Sequence, residues 1–175
     1  SPYPLADPAG RHHGRSRGTT RDPTARLLAA LDAAWNDFHA SYDGLSDDEL
    51  LEPGVSGAWS IRDIMAHVSW WEEEALKHLP VILAGGRPPR YADVYGGIDA
   101  FNARKDEEWR SRSLAEVRQR LHETHNRLVA YLHQVPPDQL KSGTRFRRRL
   151  RLDTYGHYPL HAQAIRQWRA RRAGR

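Results

Sequence analysis

Apolar residues recur along this chain at intervals of three and four and seldom alternate with polar ones. Leu27, Leu28, Leu31, Ala34, Trp35, Phe38 and Tyr42 give a first helix one broad apolar face. Thr24 reads as its cap, with Asp22 and Pro23 ahead, and Gly44 as its end. Residues 46–49 have the form of a capping box opening a short turn before Pro53 and Gly54. Ser60 and Asp63 form another box. Behind it Ile61, Ile64, Met65, Val68, Trp71, Ala75, Leu76 and Leu79 line a second helix, with Trp59 placed to staple back onto Ile64 or Met65. Pro80 is expected to bend that helix, and Gly85 and Gly86 to end it.

Residues 87–97 read as a long loop, of a length that often serves as a lid. A third helix begins near Ile98, turns Phe101 and Trp109 inward, and is reset at the capping box over residues 113–116. Leu114, Val117, Leu121, His125, Leu128 and Leu132 continue its stripe until Pro136 and Pro137 stop it. Residues 138–153 read as a connection in which 147–152 either pair as a strand or stay irregular. The last helix starts near Thr154, with Pro159 in its first two turns and Leu160, Ala164, Ile165 and Trp168 inward. Four substantial helices without a sheet-forming pattern predict an all-α fold, a four-helix bundle with long connecting loops. Residues 1–22, rich in Pro, Gly, Arg and Ser, read as an irregular tail that is flexible or loosely docked, leaving 23–175 as a single domain.

Composition changes this picture little. A 39% hydrophobic fraction and 28% charged residues suit a globular chain of 175 residues. No apolar run approaches a membrane span, no apolar block follows the N-terminal arginines, and cysteine is absent. A cytoplasmic protein that enters no membrane is therefore expected, and a thiolate metal site is excluded. Charge is uneven: residues 141–175 carry +10, residues 24–140 carry −7 and residues 1–23 carry +2, giving the net +5. The basic C-terminal end reads first as a solvated arginine-rich surface. Its other reading is a phosphate or nucleic-acid contact.

His157 and His161 stand four apart, so on a helix both imidazoles leave one face and could share a transition-metal ion. Two ligands rarely hold a metal, and His67, beside the second helix's apolar stripe, is the candidate third. Spacing alone leaves open that all three are ordinary helix or core histidines. His122 and His125 also share a face, His39, His78 and His133 read as surface or helix-end residues, and His12 and His13 lie in the tail.

Residues 57–72, which run from Gly57 through Trp59 and His67 to Glu72, resemble the second-helix motif of the DinB-like superfamily. Residues 157–168, with two histidines separated by three residues, resemble its last-helix motif. Residues 98–102, ending in Phe101-Asn102, are similar to the third-helix start of its ClbS/DfsB branch, the colibactin self-resistance proteins and their relatives. The resemblance spans roughly residues 24–172 and implies a four-helix bundle with a three-histidine site for one divalent metal, zinc or nickel. The matching positions are His67, His157 and His161. Members include thiol-dependent transferases and isomerases and hydrolases that disarm reactive small molecules. ClbS-type members often depart from the triad that this chain keeps, which argues against a metal-free cyclopropane-hydrolase mechanism here.

The expectation is a metal-dependent enzyme that hydrolyses a small molecule or transfers a thiol or other group to it, with a low-molecular-weight thiol as an optional cosubstrate and detoxification or self-resistance as its setting. Asp63 and Glu72 are the candidate general bases, although Asp63 also reads as a cap partner and Glu72 as solvated charge. Asn102, Tyr91 and Tyr95 are candidates for the pocket wall. The alternative is a non-catalytic binding module whose basic end contacts DNA or an acidic partner. A homodimer is a further option for either.

Overall fold

The structure is a computed structural model that describes residues 22–175. The predicted tail, with His12 and His13, lies outside the described residues except for Asp22. The chain forms α1 (Pro23–Ser41), α2 (Asp47–Leu50), α3 (Ile61–Leu83), α4 (Tyr91–Tyr95), α5 (Ile98–Trp109), α6 (Leu114–His133), a 3-10 turn (Pro137–Leu140), α7 (Arg145–Asp153) and α8 (Tyr158–Ala173). Among the described residues there is no strand, only an isolated bridge between Ser56 and Trp59. Helices α1, α3, α6 and α8 close a four-membered ring in which each packs on two others, the bundle expected from the pattern. Its core joins Leu27, Leu31 and Phe38 of α1, Ile64, Val68 and Leu79 of α3, Leu121 and Leu128 of α6, and Ile165 and Trp168 of α8. Burying each such side chain contributes about 1.5–3 kcal/mol. Among the described residues no helix is long and apolar enough to cross a membrane.

Local chemistry sets most boundaries. Ser46 with Glu49 and Ser60 with Asp63 form reciprocal capping boxes. Ser113 accepts from the Glu116 amide and so makes half of the third. Asp22 rather than Thr24 caps α1, because its carboxylate accepts the Thr24 amide and Pro23 takes the first helical position. Trp59 lies against His67 and Trp70, with ring centroids 4.8 and 6.1 Å away. Helix α3 continues through Pro80 to Leu83.

Two segments depart from expectation. Within the expected loop 87–97, residues 91–95 form α4, held down by Tyr91 against Trp71 and Phe101. Gly96 and Gly97 follow at φ 85° and 121°, values that permit the abrupt turn into α5.

Residues 145–153, expected as a strand or irregular connection, are helical. Thr144 caps them through the Arg147 amide, and Phe146, Leu150 and Asp153 form a buried stripe against α3. Of its five arginines, Arg148 and Arg151 are exposed, as a solvated face requires, while the other three bond within the chain. Arg145 donates to the Gly86 carbonyl, Arg147 to the Leu140 carbonyl and Tyr155, and Arg149 to Asp153 and Tyr91. In α8, Arg166 pairs with Asp37, Arg169 donates to the Ser41 and Asp43 carbonyls, and Arg172 clamps Glu49 and Glu52.

Candidate metal centre

His67 leaves α3 two turns after its cap, and His157 and His161 stand at the opening of α8. His157 is the residue just before Tyr158 and already has helical dihedrals, so the four-residue spacing brings both rings to one side. Helix α8 packs against α3, and this brings His67 to them. One imidazole nitrogen from each of the three lies within 4.8 Å of those of the other two. The Nε2 of His157 is 3.0 Å from that of His67 and 2.8 Å from that of His161. No other group of three or more histidines, cysteines or carboxylates converges in this way among the described residues.

These distances test whether an ion fits. A neutral imidazole nitrogen offers either one proton or one lone pair. The Nε2 of His157 therefore cannot form a hydrogen bond to both neighbours, whereas one cation between the three satisfies all of them. Zn–N bonds of about 2.0–2.1 Å at tetrahedral angles separate ligand nitrogens by roughly 3.3 Å. The two spacings at His157 are a few tenths of an ångström shorter.

Burial pushes all three imidazoles down, His67 to about 2, His157 to about 3 and His161 to about 4, with neighbouring imidazoles adding to the effect at His67 and His157. They are unprotonated at neutral pH, as ligation requires. The Nδ1 atoms of His67 and His157 are buried without a partner. Packing orients the His67 ring, edge-on to Trp70 with centroids 5.0 Å apart.

A cavity of about 320 Å³ opens beside the histidines, walled by His67, Trp71, Tyr91, Ile98, Asn102, Arg149, Leu152, Asp153 and His157. Ile98 and Leu152 are exposed at its rim. Arg149 Nε donates to Asp153 Oδ2 at 2.7 Å, and its other branch donates to the Tyr91 hydroxyl at 2.7 Å. Tyr91 in turn donates to Glu74 at 3.0 Å. Burial raises the Asp153 carboxyl to about 6 even though Arg149 opposes the shift.

The remaining candidates separate cleanly. Tyr91 and Asn102 stand on the cavity wall, whereas Tyr95 packs on Phe101 away from the histidines. Both oxygens of Asp63 are engaged, one by the Ser60 cap and the other by Arg62 at 2.9 Å. Glu72 is not solvated charge but wholly buried, which raises its pKa. Its Oε1 accepts from Tyr158 and from His125, and it does not reach the cavity wall. His78 is buried too, under Tyr91 and 3.5 Å from Glu74, not a surface residue. Sequence reasoning missed Arg149 and Asp153, although Asp153 is the one acid among the eleven Lys and Arg of residues 141–175.

No curated protein matches the chain. The solved structure described as "Sibling Lethal Factor Precursor - DfsB" superposes with a TM-score of 0.67 at 13% identity, covering 85% of this chain and 96% of that one, a likeness of fold. The DinB superfamily model matches residues 30–172, which takes in all three histidines. The chain therefore belongs to the DinB superfamily.

Proposed function

We propose that this protein is a metal-dependent enzyme acting on a small molecule, by hydrolysis or by thiol or group transfer, in detoxification or self-resistance. The observation that supports it most is the convergence of three unprotonated imidazole nitrogens beside an apolar cavity. His67, His157 and His161 would hold one divalent ion, zinc or nickel, with a coordination position left for a small molecule. Such an ion, when bound, supplies Lewis acidity, polarising an acceptor atom and easing deprotonation of a water or thiol.

The chain's own groups would do the rest. Asp153 is the best-placed proton acceptor, since it stands on the cavity wall where Asp63 and Glu72 do not. Arg149 holds its carboxylate in place. Trp71, Ile98 and Leu152 would give the apolar body of a small molecule a surface to pack on beside the histidines. Glu72, buried beneath Tyr158, anchors the start of α8 from which His157 and His161 project.

The alternative, a module that docks DNA or an acidic partner, has less behind it. Seven of the eleven basic residues in 141–175 (Lys141, Arg145, Arg147, Arg149, Arg166, Arg169 and Arg172) bond to groups within the chain. The deciding experiment is metal analysis of protein purified without chelators. About one equivalent of a divalent metal in the wild type, lost in His161→Ala, is the expected result. A metal content near zero in the wild type would overturn the enzymatic reading.

A further inference from the structure

Asn102 carries a feature that the metal reading does not use. The indole nitrogens of Trp70 and Trp71 both donate to its Oδ1, at 3.1 and 2.9 Å. An indole N–H can only donate, so the pair fixes which way the amide lies: Oδ1 towards the tryptophans, Nδ2 away from them. Nδ2 makes no hydrogen bond to another described residue, and it is not sealed from solvent. The side chain lines the cavity beside His67 and His157. It therefore offers a donor held at one orientation in an otherwise largely apolar wall of Trp71, Tyr91, Ile98 and Leu152. Arg149 and Asp153, also on this wall, are paired with each other, so in metal-free protein the cavity has no unpaired charge to attract an anion.

We infer that the cavity takes small uncharged molecules with an apolar body and a carbonyl-type acceptor oxygen, and that the Asn102 amide receives that oxygen. The inference names a substrate class for the proposed enzyme and rests on the cavity being its site. A site built around a fixed donor rejects analogues lacking the acceptor, because its own polar group is then left unpaired.

The test uses three probes of similar size: acetophenone, ethylbenzene and benzoate. Binding is followed by nitrogen-15 NMR of the Asn102 side-chain amide and the Trp71 indole, in chelator-treated and in zinc-loaded protein. Acetophenone is expected to bind about tenfold more tightly than ethylbenzene in both forms, and than benzoate in chelator-treated protein, and to shift the Asn102 amide. Asn102→Asp keeps an oxygen for the two indoles and removes the donor. It should erase the preference while the Trp70 and Trp71 indole resonances stay in place, and Asn102→Ala should erase it too. Equal binding of the probes to the wild type, or a preference that survives both substitutions, overturns the inference. So does a preference confined to zinc-loaded protein, which would assign the oxygen to the metal. A protein that takes up no zinc leaves the chelator-treated arm intact and removes only the enzymatic reading.

Discussion

The hydroxyl of Tyr158 donates a hydrogen bond to Glu72 between residues 86 positions apart, deep in the bundle. Glu72 sits on α3 five residues after His67, and Tyr158 directly follows His157, so this bond fixes the two ligand-bearing helices against each other. Removing the donor leaves a wholly buried carboxyl with one partner, His125. Tyr158→Phe is expected to lower stability by about 1–3 kcal/mol, the usual cost of a lost buried hydrogen bond, and to weaken zinc binding. Urea denaturation and a zinc titration of the same preparation check both. An unchanged urea midpoint would show that the bond does not anchor α8.

Ligands that bind only the folded state stabilise it by mass action. Zinc at about a hundred times its dissociation constant should add about 2.7 kcal/mol, seen as a rise in the thermal midpoint that a chelator reverses. His157→Ala should abolish that rise, because His157 supplies the nitrogen between the other two. A control at His133, exposed near the end of α6, should keep it. Equal stabilisation of all three proteins by zinc would place the ion elsewhere.

The bundle and the pair His157 and His161 were legible in the sequence for a shared reason, since each is written in spacings within single helices, whereas spacing left His67 open and only the family resemblance placed it with the pair. The pair His157 and His161 and the stripe around His67 depend on one helical period, and the capping boxes at Ser46 and Ser60 mark helix starts by local chemistry. Contacts between distant segments leave no such signature. The run 145–153 hid its helix because Phe146, Leu150 and Asp153 are embedded among arginines whose partners, the Gly86 carbonyl and Tyr91, come from another part of the chain. Glu72 read as solvated for the same reason, since Tyr158 and His125 reach it from two other helices.

Asp153 gives the cavity a titration near neutrality. Its folded pKa, about 6, lies above the usual carboxylate value of 3.8, chiefly because burial disfavours the charged form. The sign follows: between those values the native state holds the proton more firmly than the unfolded chain does. Its contribution to stability is therefore fully present below about pH 3.8 and is lost as pH rises through about 6. Asp153→Asn cannot titrate. The stability of the wild type relative to this variant should fall between about pH 4 and pH 7, measured by urea unfolding at several pH values. A relative stability that rises over that range would mean that Arg149, 2.7 Å away, outweighs burial.

Gly156 sits one residue before His157, where the chain leaves α7 and turns into α8, and its amide donates to the Arg151 carbonyl at 2.9 Å. Its dihedrals are not the reason for glycine, since its φ is not positive. Space is the reason: a Cβ there would lie 2.8 Å from the Arg151 carbonyl oxygen and 3.0 Å from that residue's Cγ. The carbonyl is backbone of a packed helix and cannot swing away as a side-chain tip can. Gly156→Ala must therefore shift the turn that presents His157. Overpacking of this kind costs typically about 1–3 kcal/mol, and a displacement of His157 by a fraction of an ångström breaks its convergence with His67 and His161. The variant should be less stable in urea and should bind zinc at least about tenfold more weakly. Gly174→Ala, where a Cβ meets nothing nearer than 3.8 Å, should change neither quantity. Wild-type zinc affinity in Gly156→Ala would show that the turn tolerates the methyl without moving His157.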